Sequence, residues 1–556
     1  MDRLVYFRPG AGLGGEARSA GRVRVVAVSA ESFARTSISR APARALWGLT
    51  AALILLSSIG LWAAHLQLAA LTGLAGVALA AVVYAAIRVP QAAVAFVALS
   101  AILDRYIVGA QLPTQLGVAA HFTSEIFLAA VGVTLTLRAW RARELLNAFR
   151  HPATVFLAGF VILAVVSAMV NLVRPVPAAA GLLFTLDAVA LFYLARMAHI
   201  DLHVARTALT GFVVFVTGAA VIAIIQAVLR PDVFGLTALV GRFGETYRLA
   251  SIFGDPNVFA ALISASAPFA IMTATRGPQP RDRWIGFAIS LVLATALWLS
   301  FSRGGWLGMI VGFGAATLVL DRRAFLVGAT VLLVGFAVAN VLPRELAVPR
   351  QTAVGASDPT AVVRPTTTAT ASRGSVPKPS GVLASTVDRL STVASGRDLR
   401  TLFVLNAVVI LADHPFLGVG PGQYGGAASD MFGTPIYRQY GTDSLFHGSQ
   451  RTVDNFWLHL TVESGVLGIT AFLVMIVFIL LPICRAARRS TSWRLVVLVG
   501  IAAAASALIV NSLTTMLLES NSVAFVFWLL LGVGSVVAGT PERPREDEAA
   551  TSSSVP

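Results

Sequence analysis

Apolar stretches of about 17 to 24 residues recur along nearly the whole chain, and as helices each can cross the roughly 30 Å hydrocarbon core of a bilayer. Their approximate spans are 45–64, 68–87, 89–103, 123–138, 154–171, 180–197, 207–229, 256–274, 284–300, 304–320, 324–342, 458–482, 495–513 and 521–539. Short or polar-flanked candidates at 89–103 and 123–138 set the expected number at twelve to fourteen. In hydrocarbon every backbone N–H and C=O must be satisfied internally, so repeated spans of this length dictate an all-α polytopic transmembrane helix bundle. Charged residues make up only 12% of the chain, about half the share usual in soluble domains. A single cysteine, Cys484, excludes an internal disulfide and any Cys-cluster metal site.

A formal net charge of +15 raises the question of a nucleic-acid partner. The placement of the basic residues answers it. With the N-terminus inside, arginines gather before the first span, at Arg138, Arg141, Arg143 and Arg150, at Arg276, Arg281 and Arg283, at Arg322 and Arg323, and at Arg485, Arg488, Arg489 and Arg494. That sorting puts 26 basic residues inside and 16 outside, ten of the latter in one long loop; short loops alone give 26 against 6. Long loops do not count toward the positive-inside rule. Both termini are therefore expected in the cytoplasm, and no nucleic acid is expected as a partner.

The division follows: 1–44 a basic cytoplasmic arm without a cleavable signal peptide, 45–342 the first eleven helices, 343–457 an extracytoplasmic loop, 458–539 the last three helices, and 540–556 a polar tail. Within the loop, 343–385 is Thr, Ser, Ala and Pro rich and is expected to be disordered. Residues 386–457 contain an amphipathic to buried helix at 397–412 and a turn-rich stretch, and are expected to form a small, partly ordered helical cap.

Four polar constellations fall at the outer ends of these helices. In Ser300 to Trp306 (SFSRGGW), Ser302 can cap the helix that runs inward, and Arg303 adds a bidentate charge where the helix dipole is positive, a combination suited to phosphate or pyrophosphate. Gly304, Gly308 and Gly312 recur on one face and suit close helix packing. In Arg248 to Asn257 (RLASIFGDPN), Asp255 and Pro256 open a helix, while Arg248 offers a second anion contact; Arg242 nearby suits a surface position. In the long loop, the segment from Arg397 to Tyr424 ends in HPFLGVGPGQY, which begins at His414 and whose Gly and Pro density dictates a specific turn. Last come Asp454 and Asn455, good N-cap residues, with His459 one turn on and Glu463 beyond; a carboxylate here could take a proton from an attacking hydroxyl.

Together SRGGW, R-x6-D-P-N, HPFLGVGPGQY and DN-x9-GVLG, in this order over roughly 240–480, resemble the O-antigen ligase and O-antigen polymerase superfamily of bacterial membrane proteins. The resemblance implies metal-independent, inverting glycosyl transfer, without a cofactor, on the outer face of the cytoplasmic membrane. Its donor would be a glycan on a polyprenyl diphosphate such as undecaprenyl diphosphate, and its acceptor a glycan or lipid hydroxyl. Arg248 and Arg303 correspond to the family's two diphosphate-binding arginines, with Ser302, Asn257, Arg397, Asn455, His459 and His414 as substrate-binding candidates. Asp454 stands where the family usually has His, and the base is Asp454 or a nearby His447 or His459. Two other classes remain open: a transporter, which should place charges near the midplane in broken helices, where Asp187 is the clear mid-span charge, and a non-catalytic subunit of cell-envelope assembly. Neither the choice between polymerase and ligase nor the oligomeric state follows from the sequence.

Overall fold

A computed structural model describes residues 68–109, 123–229, 239–240, 247–342, 399–441 and 452–540. The arm 1–44, the first expected span, all of 343–385, the tail beyond 540, and Arg242, Arg397 and His447 lie outside the described residues. The other expected spans each coincide with a helix. In chain order these are α1 (Leu68–Arg88), α2 (Pro90–Gly109), α3 (Thr123–Arg141), α4 (Ala153–Val170), α5 (Pro175–Met197), α6 (Leu202–Val228), α7 (Pro256–Arg276), α8 (Pro280–Leu299), α9 (Arg303–Leu320) and α10 (Arg322–Val341). The loop contributes α11 (Leu399–Asp413), and the chain returns through α12 (Phe456–Ala487), α13 (Ser492–Asn511) and α14 (Asn521–Gly539). Among the described residues ten helices are long and apolar enough to cross a membrane. The chain is an all-α polytopic bundle, with strand pairing among the described residues limited to a two-residue ladder in which Leu239 pairs with Arg248.

Burial ranks the helices. In α7, α14 and α13 the apolar windows are 83%, 72% and 67% buried, against 22% in α4, so the first three form the centre and α4 lies at the rim. Small residues make this possible. The Ala- and Ser-rich face of α7 lets α8 approach until a Cβ at Gly286 would stand 2.8 Å from the Ala270 carbonyl. The glycine stripe of α9 does the same against α13: a Cβ at Gly308 would lie 2.5 Å from the Ala507 carbonyl, and one at Gly312 would collide with Ser506.

Besides α9, where Gly308–Phe313 is wound as π-helix, two described spans depart from regular α-helix. A 3-10 turn at Asp187–Val189 interrupts α5. Gly465 breaks α12, with φ 62° and ψ −174°, a conformation that costs other residues much more than glycine. At the other end of α7, Arg276 clamps Asp321 through two bonds of 2.6 and 3.0 Å, and Asp321 also caps α10 by accepting the Arg323 and Ala324 N–H groups. Burial alone would raise the Asp321 carboxyl, but these donors hold it below the ordinary carboxylate range.

A second, smaller core joins the loop to α12: Phe403, Ala407 and Ile410 of α11 meet Val419, Tyr424, Tyr437 and, from α12, Val462.

Candidate functional site

Asp255 caps α7 by accepting the Asn257 N–H at 2.7 Å, and Pro256 occupies the first helical position, where no N–H is needed. Upstream, the Ser251 hydroxyl bonds the Ala219 carbonyl at 2.6 Å and fastens this entry to α6. Asn257 then does more than continue the helix. Its side-chain oxygen accepts from Arg248 Nη2 at 2.7 Å and from the Ser302 hydroxyl at 3.1 Å. Two donors on one oxygen orient the carboxamide and turn its NH2 group away from both. Ser302 also caps α9, accepting the Gly305 N–H at 3.4 Å, and Arg303 is the next residue. Arg248 and Arg303 are both half-buried. The structure thus joins the first two constellations through a single amide.

The SRGGW glycines serve packing, not ligand approach. A Cβ at Gly304 would collide with Thr514 and Asn511, and one at Gly305 would lie 2.7 Å from Ala260 Cβ. Trp306 is buried, donates to the Leu297 carbonyl at 3.0 Å and packs against Trp298 in a tilted arrangement with ring centroids 4.8 Å apart. These contacts fix where Arg303 starts.

The fourth constellation meets the same neighbours. Asn455 is the N-cap of α12, accepting from the Leu458 N–H at 3.0 Å, and Asp454 precedes it at an exposed position. The Phe456 N–H bonds the Ser512 carbonyl at 3.0 Å, and the Trp457 indole bonds the Ile509 carbonyl at 2.8 Å. Segment 509–514 therefore touches both the start of α9 and the start of α12. Three helix ends thereby converge: those carrying Ser302 with Arg303 and Asp454 with Asn455 share this segment, and the one carrying Arg248 with Asn257 joins through Ser302.

His459 and Glu463 belong to a different structure. HPFLGVGPGQY enters the break in α12, and the backbone groups freed at Gly465 are taken up by the loop. Val419 and Gly420 donate to the Val462 and Glu463 carbonyls, both at 3.0 Å, while Val466 and Leu467 donate to the Pro415 and Phe416 carbonyls at 2.9 and 3.2 Å. Gly418, Gly420, Gly422 and Gly425 all have positive φ, between 67° and 97°, which explains the glycine density of the motif. The Glu463 carboxylate accepts the Gly422 and Tyr424 N–H groups at 2.9 and 2.8 Å. His459, 1% exposed, holds the Tyr424 carbonyl through Nδ1, and its Nε2 faces Glu519 at 3.4 Å. Because a carbonyl only accepts, the proton on that side sits on Nδ1. Glu519 in turn accepts the Ala427 N–H at 3.1 Å.

His414 lies apart from the convergence, because its neighbours Pro415 and Phe416 bond α12 at Val466 and Leu467, about ten residues or roughly 15 Å along the axis from Asn455. Sequence reasoning missed two residues. Glu519, between two apolar spans, joins the loop to α14, and its isolated charge was the available signal. Asn511 is fully buried beside Gly304 with neither amide atom hydrogen-bonded, and nothing in an alanine-rich helix marks it.

Residues 288–473 match the family model for O-antigen ligase. The match supports the O-antigen ligase and polymerase superfamily that the motifs resemble. It runs from α8 through SRGGW, the loop and Asp454 into α12, while Arg248 and Asn257 precede it. This likeness, on a chain with ten apolar helices of spanning length among the described residues, points to glycan transfer of the ligase or polymerase kind by a multi-pass bacterial membrane protein. Among curated proteins none matches the chain.

Proposed function

We propose that the chain transfers a glycan from a polyprenyl diphosphate to an acceptor hydroxyl, a glycan or lipid, on the outer face of the bacterial cytoplasmic membrane, as a surface polysaccharide polymerase or ligase. The observation that carries this reading is the Asn257 oxygen shared by Arg248 and Ser302, which sets two arginine motifs side by side at a helix N-terminus. Charge sorting supports the sidedness: the short loops on the other side hold the surplus of arginines, and both termini lie with them.

Arg248 and Arg303 bind the diphosphate, aided by the positive dipole ends of α7 and α9. Asp454 accepts the proton of the acceptor hydroxyl. The hydroxyl oxygen forms a bond to the anomeric carbon as the bond to the diphosphate oxygen breaks, and polyprenyl diphosphate departs with the electron pair. A single displacement of this kind inverts the anomeric centre. Diphosphate is already a good leaving group, so charge neutralisation and orientation suffice, and these side chains supply both without a metal. Deletion of the gene followed by gel analysis of surface glycans tests the reading. Loss of long chains with single repeat units retained identifies a polymerase, and long lipid-linked chains left unattached identify a ligase. An unchanged glycan profile contradicts both.

One observation favours a second reading, transport. The break in α5 places Asp187 within electrostatic reach of Glu125 and Glu519, a set of acids inside the bundle at an interrupted helix. Solute uptake by proteoliposomes, absent in Asp187→Asn, is the outcome that reading requires.

A further inference from the structure

Helix α11 is apolar on both faces. Phe403, Ala407 and Ile410 turn into the smaller core, while Val404, Leu405, Val408 and Val409 face outward, Leu405 being 58% and Val408 59% exposed. A helix that borders water keeps that border polar, whereas one that is apolar all round is either buried or in lipid. Among the described residues nothing of the bundle's centre covers this face, and an apolar occupant suits it.

The patch does not end with the helix. Two residues past Asp413 the chain reaches Pro415 and Phe416, and Phe416 is 67% exposed. Because the Pro415 and Phe416 carbonyls accept the Val466 and Leu467 N–H groups at 2.9 and 3.2 Å, Phe416 is held at the level of those residues on α12. Val466 and Leu467 are themselves exposed, and the exposed side of α12 continues through Leu473, Val477 and Leu481. That side of a membrane-crossing helix faces lipid. The stretch 465–484 spans ~30 Å at 1.5 Å per residue, one hydrocarbon thickness. Gly465 and Phe416 therefore stand at one boundary of the hydrocarbon, with the outer face of α11 continuous with the lipid-facing surface below.

We propose that α11 and Phe416 lie in the membrane interface, with Val404, Leu405, Val408, Val409 and Phe416 in contact with the acyl chains of the leaflet on the loop's side. The occupant of the apolar face is lipid, and the loop is a membrane-dipping element instead of a cap in water. An interfacial helix buries its apolar face only to the boundary of headgroups and acyl chains. The polar end of α11 suits that depth, since the exposed Asp413 carboxylate accepts the Tyr440 hydroxyl at 2.8 Å and can remain among headgroups.

The test uses the full chain with Cys484→Ser, spin-labelled at Leu405→Cys or Val409→Cys and reconstituted in phosphatidylethanolamine and phosphatidylglycerol vesicles. Val477→Cys on α12 and Gln439→Cys, both exposed, are the lipid and water references. Collision rates with oxygen and with a water-soluble nickel chelate are compared. The proposal expects labels at 405 and 409 to favour oxygen over nickel, as at 477. Nickel accessibility like that at 439 overturns it, and exclusion of both reagents also overturns it, because a second copy of the chain or another segment then covers the face.

Discussion

Two polar regions lie close together at one end of the bundle and are built on opposite terms. Around Glu463 the charged side chains are buried and tied to backbone: two N–H groups on the Glu463 carboxylate, a carbonyl on His459, the Ala427 N–H on Glu519. Around Asn257 the arginines are half-buried, one amide oxygen serves two donors, and Asp454 is exposed. Burial among backbone partners holds a loop in place, whereas partly exposed arginines at helix N-termini are what a site for an anionic ligand needs. A sequence motif such as N-x9-GVLG mixes the two, because one turn of helix separates Asn455, at the convergence, from His459, beneath the loop.

The comparison can be broken at either region. The largest effect belongs to the arginines. Arg248→Ala or Arg303→Ala should each lower glycan transfer by about 100-fold or more, the usual cost of removing one charge-stabilising donor, with membrane insertion and thermal unfolding unchanged. A turnover assay paired with a melting curve checks it. Glu463→Gln should do the reverse. One backbone N–H then faces an amide NH2, which costs about 2 kcal/mol of stability, so the melting temperature falls while donor affinity in the remaining folded protein holds.

A smaller effect is expected at the far end of α7. The Asp321 carboxyl is held below its usual range in the folded chain, so the stability it contributes is present above the unfolded value of about 3.9 and is lost as pH falls through the lower folded value. Acidification from about pH 5 to pH 3 should therefore lower the melting temperature of the wild type more than that of Arg276→Gln. His414→Ala should do least, leaving transfer unchanged, since the His414 side chain stands apart from the converging helix ends.

Much of this fold was legible because hydrocarbon leaves few alternatives: length and apolarity place the helices, Asp255-Pro256 opens α7, and Ser302 opens α9 as their cap chemistry requires. HPFLGVGPGQY was legible as a turn, because only glycine adopts positive φ so often without strain. What the turn fits into was not. Gly465 reads in sequence like any packing glycine of an apolar span, and its break becomes visible only when loop carbonyls occupy the gap. His459 was read beside Asn455 on the spacing of one helical turn, but spacing says nothing of how far a side chain is buried, which depends on Glu519 some sixty residues on. Asn257 was expected to bind substrate; its bond to Ser302 depends on the approach of α7 to α9, which no local pattern encodes.

The central claim is that Arg248 and Arg303 together hold a diphosphate. Retention of radiolabelled undecaprenyl diphosphate by the purified full chain in proteoliposomes tests it most directly. The account predicts weakened binding in each alanine variant, none in the double variant, and wild-type binding in Glu463→Gln protein that remains folded. Undiminished binding by the Arg248→Ala, Arg303→Ala double variant would contradict it.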